Sequence, residues 1–439
     1  MTMNRKTWAL LAGGLLSSGL TGCQTNMLGC DRITVASQIQ QRSGHAMSAD
    51  NCRRADQLGE TLTEERAVVL ALWNNAAFQE QLVDLGIARA DLITAGLLPN
   101  PEFVYLFEVK DKPLRYAIDF PVEALWLRPI RVRAAQRESA KTCDRLVQVG
   151  LNLIRDVRQA YADVLLSKDR YRIAQESTQL RQKVSDIAET RLRAGDASPQ
   201  EASIAKLDLL QAQQDRVKSE KEIPIAEERL RNLLGLGANP QAIDLDASIP
   251  PMTETPDLEG LVNRAVTTRP DAQSAEEAIG AAEERLRLAK IGWIRFLGVA
   301  DATSGKRTGH EFGPAVRVTV PIFNWNQGNI AKAEAELEKA DWQLLNLQDQ
   351  IRLDVRKAYA QYDQARSELA ILQHKTRPEV DAAIRRVQKG YQEGNTNYVI
   401  VLETSRQLID TSLREAQLNA DLRRAWAELE RSVGFHVAK

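Results

Sequence analysis

Aromatic residues make up only 5% of this 439-residue chain, and cysteine and histidine occur four times each. So small an aromatic share argues against a compact, aromatic-rich core and for extended helices built from Ala, Leu, Arg, Gln and Glu. The four His and five Met are scattered, and no Cys spacing resembles a metal site. Charge of one sign is missing too. Lys plus Arg number 58 and Asp plus Glu 59, a formal net charge of -1, so nucleic-acid binding has no electrostatic support. There is no Gly-rich phosphate loop, no nucleophile elbow and no pair of metal ligands, and His310 and His374 lie far apart. The sequence therefore reads as that of a protein that is not an enzyme and carries no cofactor.

What is present is a repetition. Ile154-Arg155-Asp156-Val157-Arg158-Gln159-Ala160-Tyr161-Ala162 returns, with one inserted residue, as Ile351 to Ala360. Arg193-Ala194-Gly195-Asp196 returns as Gln392-Glu393-Gly394-Asn395, Leu230 to Gly235 as Leu429 to Gly434, and Phe120-Pro121-Val122 as Val320-Pro321-Ile322. The spacing is roughly 199 residues, far longer than a solenoid repeat. Residues 61–236 and 259–435 are thus two copies of one unit, joined by a linker over 237–258 that holds Pro240, Pro250, Pro251 and Pro256. Asp156 and Asp354 match across the copies and read as partners for Arg at helix spacing.

The N-terminus reads as a targeting segment over 1–22. Arg5 and Lys6 precede an apolar stretch, Trp8 to Leu20, too short to cross a bilayer as a helix. Leu20-Thr21-Gly22-Cys23 has the form of a bacterial lipobox, which makes Cys23 the candidate for lipidation; an ordinary secretory signal is the alternative. Residues 23–60 read as a polar, extended arm. Cys30 and Cys52 are a candidate disulfide there, against two free thiols, while Cys143 reads as a packing residue on a helix.

Within each copy the periodicities change in one order. Val68, Leu72, Ala76, Leu82, Leu85 and Ala88 predict helix from Thr63 to Leu98, stopped at Pro99. Phe103, Tyr105, Phe107 and Val109 alternate with less apolar neighbours, as do Tyr116, Ile118, Phe120 and Val122. This predicts a hairpin whose two faces suit a barrel wall with lipid outside and water inside. A hairpin on a soluble core would look the same locally. The second hairpin is expected over Arg295–Ala302 and Pro314–Phe323, around a polar loop from Thr303 to His310. Long helices follow. Ile351, Val355, Ala358, Tyr362, Ala365, Leu369 and Leu372 step by fours and threes as a coiled-coil seam, matched by Leu153, Val157, Ala160, Val164, Ser167, Tyr171 and Ala174. Helices are expected over 130–194, 199–234 and 397–433, with turns at Gly195 and Gly394.

The lipobox, the duplicated unit, Val320-Pro321-Ile322-Phe323-Asn324-Trp325-Asn326-Gln327-Gly328 ahead of a helix, and Tyr391-Gln392-Glu393-Gly394 at a turn together resemble the TolC family of outer-membrane efflux proteins. The resemblance covers nearly all of residues 60–435. It implies an α+β homotrimer in the outer membrane. Each chain would give four strands to a shared β-barrel, continued by a long periplasmic coiled-coil barrel. Two hairpins cannot close a barrel alone, and open edges are not tolerated in lipid. The implied partners are outer-membrane lipid, a periplasmic adaptor and an inner-membrane transporter. The resemblance also implies adaptor-contacting tips at Arg193, Ala194, Gly195, Asp196 and Ala197 and at Glu393, Gly394, Asn395 and Thr396. Pore-constricting positions fall on Ile400 and Glu403, with Glu201 opposite Ile400; the family's first acid is thus lost, and Glu403 alone could form a carboxylate ring. Leu97 to Glu102 resembles heavy-metal-cation branches of the family. A type I secretion duct and a non-conducting coiled-coil scaffold remain the alternatives to an efflux duct.

Overall fold

The computed structural model describes residues 29–45, 61–108, 114–237, 244–247, 257–305 and 309–437, so Cys23, Cys52 and most of the linker lie outside the described residues. The chain divides into two compact units. One contains Gly86–Ala140 and Glu277–Glu338, the other Asp31–Leu85, Lys141–Glu276 and Lys339–Lys439.

The first unit is organised by one antiparallel sheet of four strands in chain order: β1 (Glu102–Leu106), β2 (Leu114–Pro121), β3 (Phe296–Gly305) and β4 (Gly309–Val318). The register pairs Val104 with Ala117, Ala117 with Asp301, and Asp301 with Gly313. Because side chains alternate along each strand, that register sorts the residues onto two faces. Glu102, Arg115, Asp119, Asp301, Thr303, Glu311 and Arg317 share one; Phe103, Tyr105, Tyr116, Ile118, Phe120, Phe312, Val316 and Val318 share the other. On the polar face Arg115 makes a two-pronged bond to Asp301 (Nε to Oδ1 3.0 Å, Nη2 to Oδ2 2.8 Å). Arg317 on β4 reaches past β3 to Asp119 on β2, Nη1 to Oδ2 3.2 Å. The apolar face is largely uncovered: Phe103 is 65% and Phe312 76% exposed.

The hairpins sit where expected, with shifted limits. β1 ends at Leu106 rather than Val109, and β4 begins at Gly309 and ends at Val318 rather than running from Pro314 to Phe323. Most of the polar stretch expected as a loop is strand, because the β3–β4 ladder continues through Thr303 with Glu311 and Ser304 with His310 to Gly305 with Gly309. Beyond Val318 the ladder fades, and Pro321 supplies no donor to it. The following motif is turn chemistry. Asn326 takes φ 66°, Asn324 Oδ1 accepts from its N–H at 2.8 Å, and Gln327 Oε1 accepts from the Trp325 N–H at 2.8 Å. The Asn326 amide also donates to the Ala289 carbonyl at 2.7 Å.

The helices carry the rest. α1 (Arg32–Ser43) lies in the arm expected to be extended; Asp31 caps it at the Thr34 N–H, and Val35 and Ile39 are fully buried. Two apolar residues four apart suffice once there is something to pack on. The helix expected from Thr63 to Leu98 is three: α2 (Glu64–Asn74), α3 (Ala76–Leu82) and α4 (Asp84–Gly96). α2 ends where Asn75 leaves helical geometry to cap α3 with its side chain, 2.9 Å from the Phe78 N–H. α5 (Glu123–Ala194) runs 72 residues and α6 (Pro199–Leu233) returns from it. α7 (Leu258–Thr268), α8 (Pro270–Ile291) and α9 (Gln327–Ile371) follow; a π-helical turn, Leu372–Thr376, then leads into α10 (Arg377–Gln392) and α11 (Tyr398–Val433). The seam residues Ile351, Val355, Ala358 and Tyr362 are buried against Leu418, Leu422, Ala425 and Leu429 of α11. The matched acids find partners that differ from expectation. Asp156 binds its neighbour Arg155, whereas Asp354 binds Arg431 on α11 (3.2 Å) and Arg269 between α7 and α8 (3.5 Å). Cys143 is disulfide-bonded rather than a free packing residue, as is Cys30; Cys52, its expected partner, lies outside the described residues.

Gly235 ends α6 with φ 69°, and a Cβ there would sit 2.3 Å from the Asn74 carbonyl oxygen. Gly235→Ala is expected to cost about 3 kcal/mol, left-handed strain plus overpacking, and to lower the thermal midpoint. An unchanged midpoint would mean that the turn relaxes freely.

Inside the helical unit His45 is buried beside Arg158, with Glu430, His436 and Glu64 around it. Burial first, and then the Arg158 cation, push its imidazole down to about 4, against a weaker upward pull from Glu430. The folded protein keeps the ring neutral, while the unfolded chain protonates it below about 6.5. Stability is therefore expected to fall by up to ~3 kcal/mol as pH drops from 6.5 to 4. His45→Gln should flatten that part of the pH profile of thermal unfolding; an identical profile would assign the loss elsewhere.

Candidate functional site

The two hairpin tips are built by the same local chemistry. At the first, Gly195 takes φ 82°, its N–H donates to the Leu192 carbonyl (3.1 Å), and the Asp196 N–H donates to the Arg191 carbonyl (2.9 Å). At the second, Gly394 takes φ 77°, its N–H donates to Tyr391 (3.2 Å), and the Asn395 N–H donates to Gly390 (2.8 Å). Both are complete Schellman closures, satisfying carbonyls that the helix ends would leave orphaned. Ser198 then caps α6 at the Glu201 N–H, and Asn397 caps α11 at the Val399 N–H. Arg193, Ala194, Gly195 and Asp196 are exposed and Ala197 half-buried; Glu393, Gly394 and Asn395 are exposed and Thr396 half-buried.

Just behind the turns lies a small core that periodicity alone did not reveal. Tyr391 and Tyr398 are buried with Ala188, Ala205 and Val401, their rings 6.3 Å apart. The Tyr391 hydroxyl donates to Glu201 at 3.0 Å, and the Tyr398 hydroxyl donates to Asp208 at 2.8 Å. Arg191 lies over the Tyr391 ring, 5.0 Å from its centre, and 4.0 Å from Glu201. Arg181 and Arg406 each stand 3.6 Å from Asp208. Burial, reinforced by the Glu201 hydrogen bond, pushes the Tyr391 phenol up to about 12, and burial with Asp208 raises Tyr398 further. Both hydroxyls therefore remain donors at any physiological pH.

This core fastens one repeat to the other. The acids are seven residues apart, two turns along one face of α6, and the tyrosines come one from each side of the second turn, at the end of α10 and the start of α11. Glu201 is thus engaged within its own chain. Ile400 (51% exposed) and Glu403 lie on α11 three residues apart, away from the core that holds Tyr398 and Val401.

A two-faced sheet joined to duplicated helix pairs with matched turns defines the protomer of an outer-membrane channel with a helical periplasmic part. The chain belongs to the Outer membrane efflux protein family, which matches residues 128–236 and 261–435. Relatives include the cobalt-zinc-cadmium resistance protein CzcC of Cupriavidus metallidurans, 24% identical over 385 residues, covering 85% of this chain and 90% of CzcC. The cation efflux system protein CusC of Escherichia coli K12 is 24% identical over 286 residues, 62% of this chain and 61% of CusC. Among solved structures, CusC superposes with TM-score 0.70 at 18% identity, covering 85% of this chain and 92% of that one. The channel VceC of Vibrio cholerae gives 0.71 at 16%, covering 88% and 99%. The expected family and the α+β, two-hairpin fold are therefore correct.

Proposed function

We propose that this chain is the outer-membrane exit duct of a tripartite efflux system, acting as a homotrimer and passing divalent metal cations delivered by an inner-membrane pump through a periplasmic adaptor. The observation that carries this reading is the sheet: one face charged, the other apolar, and β1 and β4 without a further strand partner among the described residues. Three copies, β4 of each beside β1 of the next, give twelve strands, a closed wall with no edge in lipid. The metal cargo is supported by the names of CzcC and CusC and by an exposed acid, Glu403, on α11. In a trimer Glu403 supplies a three-carboxylate ring one turn beyond Ile400, attracting cations and resisting anions. The tips at Arg193–Ala197 and Glu393–Thr396 are the surfaces offered to the adaptor, and no catalysis is assigned to the chain.

The test is single-channel recording of the purified trimer in a planar bilayer, wild type against Glu403→Ala. Discrete openings whose cation preference falls in the variant support both duct and ring. Equal selectivity removes the ring, and a protein that never assembles beyond a monomer removes the duct.

A further inference from the structure

The two copies carry the same ion pair in different surroundings. Arg158 of α5 faces Glu64 of α2, Nε to Oε1 3.2 Å, and the matching Arg356 of α9 faces Glu259 of α7, Nη2 to Oε1 3.2 Å. The second pair stands in water, its side chains 54% and 63% exposed; those of the first are 12% and 25%. The first pair lies under the N-terminal arm. His45, 8% exposed, places Nε2 3.1 Å from Arg158 Nη2. A guanidinium can only donate, so this imidazole nitrogen accepts, and the contact exists for the neutral ring alone.

Few other contacts seat the arm. Ile39 of α1 fills the space over Gly150 of α5, where a Cβ would stand 2.5 Å from its Cδ1. Arg42 donates to the Thr268 carbonyl (2.6 Å) and to Gln273 Oε1 (3.0 Å), and its own carbonyl accepts from the His436 N–H (2.7 Å). α1 therefore joins α5 of the first copy to α7 and α8 of the second. The charged and titratable groups around His45 are Arg158 of α5, Glu430 of α11 and His436 beyond it, with Glu64 of α2 and Arg423 of α11 behind Arg158. Glu430 is already engaged by Arg158 and by His436, Nδ1 to Oε1 2.5 Å. A proton on His45 thus adds a second cation beside Arg158 and turns the accepting nitrogen into a donor that faces a donor.

We propose that α1 and His45 form an acid-released clasp, docked while the imidazole is neutral and let go when it takes a proton. Release uncouples the two copies at this level and bares the Arg158–Glu64 pair. The second copy already carries its Arg356–Glu259 pair in water, so the helices beneath the clasp stay folded. Neither the clasp nor its test depends on the duct reading.

Hydrogen–deuterium exchange of the full-length protein, corrected for the intrinsic pH dependence of amide exchange, is compared over 32–45 and over 418–433 of α11. The docked ring is held down at about 4 and a free one titrates near 6.5. Docking is therefore weakened as pH falls through that window. Protection of 32–45 is expected to drop tenfold per pH unit, about 300-fold in all, while 418–433 stays slow. His45→Gln, neutral at every pH, should keep 32–45 equally protected at pH 6.5 and pH 4. If that variant frees the arm at every pH, Arg158→Gln decides instead. With the opposing cation gone and Glu430 left, protection should hold or rise as pH falls. Wild-type protection that ignores pH, a loss that 418–433 shares at the same rate, or a loss undiminished in either variant would overturn the clasp.

Discussion

Tyr391→Phe combined with Tyr398→Phe is expected to raise the open probability of the trimer by about a hundredfold or more. Each substitution deletes a buried hydroxyl donated to a carboxylate and leaves both rings in the core they share with Ala188, Ala205 and Val401. A hydrogen bond to a charged group is worth ~1.5–3 kcal/mol, and the bereaved Glu201 and Asp208 gain by moving towards water. Two such losses, acting on the same closure, shift an open–closed equilibrium by roughly two to four powers of ten. Single-channel open time measures it directly, and antibiotic permeability of cells gives an independent reading. Unchanged open time in a correctly assembled double variant would show that the tip is held by other contacts, and the two Tyr bonds would then be packing details. Because both phenols are displaced upward, the effect should be the same at pH 6 and pH 8.

The second large effect concerns the two faces of the sheet. Ile118→Arg places a charge on the apolar face, between Phe103 on β1 and Ala300 on β3. At the middle of a membrane such a charge costs ~2–4 kcal/mol, and a trimer bears it three times. Loss of folded trimer from the outer-membrane fraction is expected. Thr303→Arg, on the opposite face opposite Arg115 and Glu311, puts the same charge among polar neighbours and should leave the trimer intact. The contrast between the two, read as heat-modifiable trimer on gels, is the informative quantity. Equal tolerance would mean that the apolar face does not meet lipid, and equal loss that the sheet resists any large residue.

Much of this architecture was readable because it is written locally and twice. Gly195 and Gly394 announced their turns, since only a left-handed residue closes a Schellman motif cheaply, and the seam from Ile351 to Leu372 kept its period. The limits of β3 and β4 were not readable, because Thr303, Ser304 and His310 look like loop residues until their partners across the ladder are known. α1 was missed because its two buried residues, Val35 and Ile39, are too few to stand out in a polar arm. The tip lock was missed for another reason. Tyr391 and Glu201 are 190 residues apart in sequence, so only packing of one repeat on the other joins them. The disulfide at Cys143 has the same origin: sequence proximity favoured Cys52, and tertiary structure placed Cys143 in a bond.

The two turns share a backbone but not a surface. The first presents Arg193 beside Asp196, the second Glu393 beside Asn395. A threefold ring of such chains is therefore a sixfold ring only approximately, with two alternating kinds of position. A partner that binds around it cannot treat the six positions as equal. Occupancy should proceed in two classes of three, with unequal affinities and unequal sensitivity to salt, and a symmetric partner would be forced into asymmetry by the ring on which it docks.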